Sequence, residues 1–283
     1  MPFETKKDIL DWYERQPRAL TNDFISAIAW DDVRRHPIDK RFIPVLIYMR
    51  DVEALTDMYY AEMRRTPTGR DPVISKFMER WGIEELAHAE VLNRFLGEFG
   101  VLVDPDWKST LRRSVSRKYR FNTYLINSLT NLVGSKFTAT HMTFGAIHEM
   151  TTAQGYRRMM DLANHPVLTS ILKAIVREES AHTQFHWRVA RLELDRNATA
   201  RRIARQVIQH FWYPVGQGSK PKQDTEYLVS TLFGGHDGMR VFDKTITQRV
   251  QRLPGFAGVN RTSDKIEGIC RKQRPDVFRM ETN

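Results

Sequence analysis

The amino-acid sequence predicts an all-helical protein whose core is made of long helices. Apolar residues recur at helical spacing over four segments, and the alternating pattern typical of strands is nearly absent. Short connections rich in turn-forming residues separate these segments in pairs, which favours antiparallel neighbours. The predicted helices span roughly residues 42–64, 71–99, 137–163 and 166–194.

The residues between these segments predict where the helices end. The stretch TPTGRDP at 66–72 separates the first two, and the pair His165-Pro166 separates the last two. Proline fits the first turn of a helix but breaks its interior, so a new helix begins after each connection. We therefore expect one domain over 1–283. Its parts are short N-terminal helices in 1–41, a core bundle at about 42–216, further helices in 217–270 and a polar tail in 271–283.

Composition narrows the location and the chemistry. The apolar runs, such as 42–49, are shorter than the roughly 20 residues of a membrane span, and the first residues lack a signal-peptide pattern. We expect a cytoplasmic protein, or a protein of the plastid stroma if the source is a plant. The single cysteine, Cys270, cannot form an internal disulfide and has no CxxC company, so a metal would need His and carboxylate ligands.

The formal net charge of +10 predicts an acidic partner, which could be nucleic acid, an anionic membrane surface or an acidic protein. Basic residues concentrate in two stretches, and a simple solvated face is the alternative interpretation of both. The stretches comprise Lys108, Arg112, Arg113, Arg117, Lys118 and Arg120, and Arg201, Arg202 and Arg205.

A repeated motif carries the candidate chemistry. The dipeptide Glu-Glu occurs only twice, and both times a histidine follows after two further residues. The odds of both coinciding by chance are on the order of one in a thousand. Residues i and i+3 share a helix face, so the second glutamate and the histidine of each motif can hold one ion. The two motifs are Glu84-Glu85 with His88, and Glu178-Glu179 with His182.

The preceding helices supply one more carboxylate each, Glu53 and Glu149. Glu53 lies 32 residues before Glu85 (85 − 53), and Glu149 lies 30 residues before Glu179 (179 − 149). In an antiparallel helix pair such spacings place the two carboxylates at the same height. Four carboxylates and two imidazoles would then meet in one buried place, which requires cations. Oxygen and imidazole donors without a thiolate suit iron or manganese.

At these residues the sequence resembles the soluble acyl-acyl-carrier-protein desaturases, the type 2 fatty acid desaturases. The stretch 71–96 is similar to the family helix with the pattern WxxEExxH, and HEMTTAQGYRR at 148–158 leads into a similar second half. The resemblance covers roughly 42–216. It implies a ferritin-like four-helix bundle with a di-iron centre and additional C-terminal helices. The implied ligands to two iron ions, or to manganese, are Glu53, Glu85, His88, Glu149, Glu179 and His182.

The resemblance also implies roles for four further residues. Thr152, one turn after Glu149, falls where the family keeps a threonine near the oxygen-binding side of the cluster. Glu84 and Glu178 would orient the ligand imidazoles from outside. Trp30 is the candidate for the tryptophan that the family uses in its electron route. A threonine bonded to its own helix, exposed glutamates and a packing tryptophan are the structural alternatives.

The implied function is an oxidoreductase of lipid biosynthesis. Such an enzyme uses dioxygen and two electrons from ferredoxin to introduce a double bond into a fatty acyl chain on acyl carrier protein. The acidic carrier would dock on the basic surface of a homodimer.

Other functions are compatible with the same ligand set, and the sequence favours them to different degrees. The radical-forming tyrosine of ribonucleotide reductase small subunits would fall at Leu92, and the third histidine of arylamine N-oxygenases at Ile175, which disfavours both. A related hydroxylase diverges from a desaturase only after the first hydrogen abstraction. A ferritin-like iron store would leave the C-terminal third unexplained. Nucleic-acid binding has only Tyr119 and Phe121 within the basic stretch, without a named motif.

Overall fold

The computed structural model describes residues 3–276, apart from the side chains of 125–127 and 129. Over that range the chain is all-helical, and its one β-bridge, between Gln217 and Lys220, lies in a turn. The helices are α1 (Lys6–Glu14), α2 (Asn22–Ser26), α3 (Phe42–Ala54), α4 (Thr56–Met63), α5 (Pro72–Phe99), α6 (Trp107–Ser114), α7 (Arg117–Val133), α8 (Thr138–Ala163), α9 (Pro166–Arg196), α10 (Ala198–Phe211), α11 (Lys222–Phe233), α12 (Gly235–Phe242), α13 (Gln248–Val250) and α14 (Arg261–Gln273). Two 3₁₀ segments, Trp30–Arg35 and Gly134–Phe137, and one π-helical turn, Asp243–Thr247, complete them.

Two helix pairs carry the predicted ligands. Helix α3 packs on α5, α8 packs on α9, and α5 and α9 join the two pairs. The helix predicted over 42–64 is in fact two, because the chain leaves the helix for one residue at Leu55. Glu53 therefore lies in the last turn of α3. The other three predicted helices agree with α5, α8 and α9 to within about two residues, the precision with which helix ends are defined.

Local sequence explains the helix ends. The Asp71 side chain accepts hydrogen bonds from the backbone N–H groups of Val73 and Ile74, and Pro72 follows as the first helical residue of α5. The turn from α8 to α9 is only two residues long. Asn164 takes a left-handed conformation (φ 47°), and the His165 side chain caps the start of α9. So short a turn keeps Glu149 and Glu179 at matching heights.

The C-terminal helices extend the core of the bundle. Helix α10 packs on α8 and α9, and α11 packs on α3, α8 and α14. Their buried side chains join one apolar cluster with those of α3, α5, α8 and α9. Trp212, fully buried after α10, belongs to this cluster. At the other end, α1 packs against α5 and α9. Between residues 3 and 276, no helix is long and apolar enough to cross a membrane.

Candidate metal centre

The six predicted ligands come together in the buried centre of the two helix pairs. Their side chains form two groups, and within each group the potential ligand atoms all lie within 4.8 Å of one another. Two carboxylates, Glu85 and Glu179, belong to both groups. The first group adds Glu53 and His88, and the second adds Glu149 and His182. This sharing is the arrangement expected of two ions bridged by two carboxylates.

Helix periodicity produces this symmetry. Each of α5 and α9 presents a glutamate and, one turn later, a histidine on the same face. His88 Nδ1 lies 3.2 Å from Glu179 Oε1, and His182 Nδ1 lies 3.0 Å from Glu85 Oε1. Each imidazole thus approaches the carboxylate of the opposite helix, so the two motifs form a single cluster.

Several atoms of the cluster lack a hydrogen-bond partner among the described residues. They are buried, and leaving such atoms unpaired is costly unless another group binds them. A cation held by oxygen and imidazole donors fits this set. The atoms are Glu85 Oε1, both carboxylate oxygens of Glu179, His88 Nδ1 and His182 Nδ1.

The outer nitrogens of the two histidines are held by Glu84 and Glu178, each on the opposite one of the two helices α5 and α9. His182 Nε2 lies 2.7 Å from Glu84 Oε2, and His88 Nε2 lies 3.0 Å from Glu178 Oε2. Each outer glutamate therefore orients the histidine of the other motif. A carboxylate accepts only, so Nε2 carries the proton and Nδ1 of a neutral imidazole is free to bind a metal.

The pKa values of the cluster reflect the crowding of its carboxylates. Burial and repulsion by Glu53, Glu179 and Glu149 raise the pKa of Glu85 well above its usual value. Burial and repulsion by Glu149 and Glu53 raise the pKa of Glu179 to about 7. Burial opposes protonation of the imidazoles, yet the surrounding carboxylates raise the pKa of His88. Divalent ions would take over this compensation and displace the protons.

Two donors at the ends of the cluster were not predicted. The Tyr156 hydroxyl donates to Glu53 Oε1, and Trp81 Nε1 donates to Glu149 Oε1 at 3.1 Å. Both donors are buried. Their spacing was a usable signal, because Trp81 lies four residues before Glu85 and Tyr156 seven residues after Glu149, each on the ligand face of its helix.

An apolar cavity reaches the cluster at its Glu53 end. Its volume is about 60 Å³. Thr152 lines it together with Glu53 and Tyr156, so the threonine shares the cavity wall with one of the predicted ligands. Most of the other lining residues are apolar and come from α3, α11 and the segment after α10, including Met49, Val52, Val215, Leu228 and Leu232.

Trp30 has no contact with the cluster among those found, whereas His186 packs beside it. The Trp30 N–H donates to the Ile25 carbonyl at 3.0 Å, and the Arg94 guanidinium covers its ring at 4.0 Å. Neither contact involves a predicted ligand or an outer glutamate, so the electron-route role of Trp30 stays a prediction. His186 packs edge-on against Phe77, and its Nδ1 lies 4.0 Å from Glu149 Oε1.

Comparison with known proteins adds no identification. The chain matches no protein-family model, no curated protein and no solved structure. The geometry of the site therefore carries the functional argument.

Proposed function

We propose that this chain is an oxygen-dependent desaturase that holds two iron ions in a ferritin-like four-helix bundle. The observation that carries the proposal is the position of the carboxylate and histidine cluster beside an apolar cavity, with Glu53 common to both and Thr152 in the cavity wall. The reaction would convert CH₂–CH₂ in an acyl chain to CH=CH. One dioxygen, two electrons and two protons would be consumed, and two water molecules would be released.

The side chains of the cluster fit this task. Bound iron would supply the oxygen chemistry, which protein side chains lack. Glu84 and Glu178 fix both imidazoles in the tautomer that leaves Nδ1 free for the metal. Manganese would fit the same donors.

The apolar lining of the cavity suits a hydrocarbon group. Apolar walls exclude water and hold a methylene pair in one place, and such positioning decides which bond reacts. The Thr152 hydroxyl could donate or accept a hydrogen bond where the cavity meets the cluster.

The resemblance to the acyl-acyl-carrier-protein desaturases suggests which proteins would supply the acyl chain and the electrons. An acyl carrier protein is acidic and would dock on the basic surface, where Arg113, Arg117, Lys118 and Arg120 are exposed. Ferredoxin would deliver the electrons, and two copies of the chain would form a homodimer. These partners belong to the proposal and define the assay.

The test is a reaction of the iron-loaded protein with oxygen, reduced ferredoxin and a panel of acyl carrier protein substrates. Mass spectrometry of the released chains should show the loss of two hydrogens. Glu149→Gln should abolish this product, whereas Glu79→Gln, an exposed glutamate on α5, should retain it. Gain of one oxygen would replace desaturation by hydroxylation. An unchanged panel with two irons bound would overturn the acyl substrate and redirect the search to amines and other small molecules.

A further inference from the structure

The end of α1 and the segment that follows it complete the outer layer of the metal centre. The Tyr13 hydroxyl donates to Glu84 Oε2 at 2.5 Å. The backbone N–H groups of Ala19 and Leu20 donate to Glu178 Oε1 at 2.7 and 3.1 Å. The N-terminal segment therefore binds both glutamates that hold the ligand histidines.

Arg18 lies between these two glutamates. Its Nε is 3.0 Å from Glu178 Oε1 and 3.2 Å from Glu84 Oε1. Glu84 has a second arginine, since Arg80 Nε lies 2.8 Å from the same oxygen. Among the described side chains, the ion pairs of Glu178 are those with Arg18 and His88. Arg18 is thus the arginine that balances Glu178.

Positive and negative charges balance separately in the outer layer, formed by Glu84, Glu178 and their arginines, and in the inner layer, formed by the predicted ligands. Two arginines balance the two outer glutamates, which leaves the four inner carboxylates to balance two divalent ions. A carboxylate that accepts from a ligand histidine makes that histidine a stronger electron donor to the metal. A guanidinium on the same carboxylate opposes this effect because it draws charge away from the histidine.

We infer that Arg18 is a positioning residue that raises the reduction potential of the metal pair through the Glu178–His88 hydrogen bond. This inference rests on the proposed two-iron centre. Loss of the guanidinium would lower the reduction potential in two ways. It removes a positive charge near the metals, and it leaves Glu178 a stronger acceptor from His88. Both favour the oxidised ions, so Arg18 keeps the centre reducible by an external donor.

A purely structural role for Arg18 makes a different prediction. In that case its loss would loosen the N-terminal segment and lower the melting temperature without changing the potential. A lysine would then be a poor replacement, because it cannot reproduce the fork of a guanidinium. If charge matters, lysine should suffice.

The test compares Arg18→Gln, Arg18→Lys and Arg15→Gln in the iron-loaded full chain. Arg15 is exposed at the end of α1, so Arg15→Gln removes the same charge from a neighbouring position. Each protein is poised with redox mediators at the wild-type midpoint potential, and the oxidised fraction is read from the optical spectrum. Arg18→Gln should raise the ratio of oxidised to reduced iron by about tenfold, which corresponds to a potential about 59 mV lower for a one-electron couple, whereas Arg18→Lys and Arg15→Gln should stay within about threefold of the wild type.

An Arg18→Gln protein that matches Arg15→Gln would overturn the inference, and so would a tenfold shift in Arg18→Lys. If Arg18→Gln does not fold, Arg18→Met takes its place, because it also removes the charge, and it must show the same rise in oxidised iron. Wild-type protein that binds no reducible iron would overturn the proposed function along with the inference. Reducible iron that is insensitive to Arg18 would overturn the inference alone.

Discussion

Single side chains distinguish the two ends of a cluster that is otherwise nearly symmetric. Tyr156 bonds Glu53 beside the cavity, whereas Trp81 bonds Glu149 on the side where Phe77 and His186 pack. A donor on the terminal carboxylate fixes the oxygen that turns to the metal. The two subsites should therefore depend on different residues outside the ligand set.

Tyr156→Phe removes one hydroxyl and keeps the ring that fills its place. Because Glu53 loses its donor, the affinity for one of two divalent ions should fall by about tenfold. Trp81→Phe should weaken the other ion, since it affects Glu149 alone. Titration of the metal-free proteins with Co²⁺ against a chelator would resolve the two steps. Equal weakening of both steps by either variant would contradict this assignment.

His141 provides a test of pH dependence away from the cluster. It is buried on α8, its Nδ1 lies 2.8 Å from Thr68 Oγ1, and burial lowers its pKa to about 3. The unfolded chain binds a proton at a pKa of about 6.5, so below that pH protonation favours unfolding, progressively until the folded pKa is reached. From pH 7.5 to 5.5 this residue should cost about 1.4 kcal/mol of stability.

The measurement is urea unfolding of the wild type and His141→Gln at both pH values. Glutamine can keep a hydrogen bond to Thr68 but does not titrate. The variant should lose about 1.4 kcal/mol less than the wild type over this interval. Identical losses would show that His141 gains a proton without unfolding.

At the scale of elements, the sequence predicted the ligand helices because their signals are local. The glutamate and histidine motifs, the stretch TPTGRDP before α5 and the pair His165-Pro166 before α9 each act within a few residues. The break at Leu55 was missed, since no proline or glycine marks it. The N-terminal layer was missed for another reason: Arg18 is 160 residues from Glu178, and neither spacing nor periodicity relates such distant positions.

One wall of the cavity is formed by Trp212, Pro214 and Val215, and the turn that follows them depends on a glycine. Gly216 has φ +80°, and a Cβ there would lie 2.7 Å from Val52 Cγ2 and against the Tyr48 hydroxyl. That hydroxyl donates to the Val215 carbonyl at 2.7 Å, and Lys220 pairs with Asp51 at 2.5 Å. The wall is thus fastened to α3 on both sides of the glycine.

Gly216→Ala should destabilise the protein by about 2 to 4 kcal/mol, because strain and overpacking add. Gly268→Ala is the matched control. Gly268 is exposed within α14 and has open space at its Cβ position. Alanine there should therefore increase the free energy of unfolding by about 0.5 to 1 kcal/mol. Urea unfolding should show a lower free energy of unfolding for Gly216→Ala and a higher one for Gly268→Ala. A neutral Gly216→Ala would mean that the wall can move away from α3.

For the whole molecule, residues that would bind metal in the cluster lower the stability of the metal-free fold. Four carboxylates packed in the bundle centre repel one another when no cation is present, and burial together with that repulsion raises the pKa values of Glu85 and Glu179. Divalent ions that bind only the folded chain stabilise it by mass action, by about 2.7 kcal/mol at a free concentration one hundred times the dissociation constant. A residue that serves the site should therefore harm the metal-free fold.

Glu179→Gln separates these two effects, because it removes one charge from the centre with little change in shape. Without metal the variant should be at least as stable as the wild type, since Glu53 and Glu149 lose a repelling neighbour. With Mn²⁺ or Fe²⁺ under anaerobic conditions, the wild type should gain several degrees in melting temperature and the variant little or nothing. Glu79→Gln should behave like the wild type in both states. If metal-free Glu179→Gln melted well below the wild type, the carboxylate would be serving the fold through protons or hydrogen bonds, and two shared ions would no longer explain why these acids are buried together.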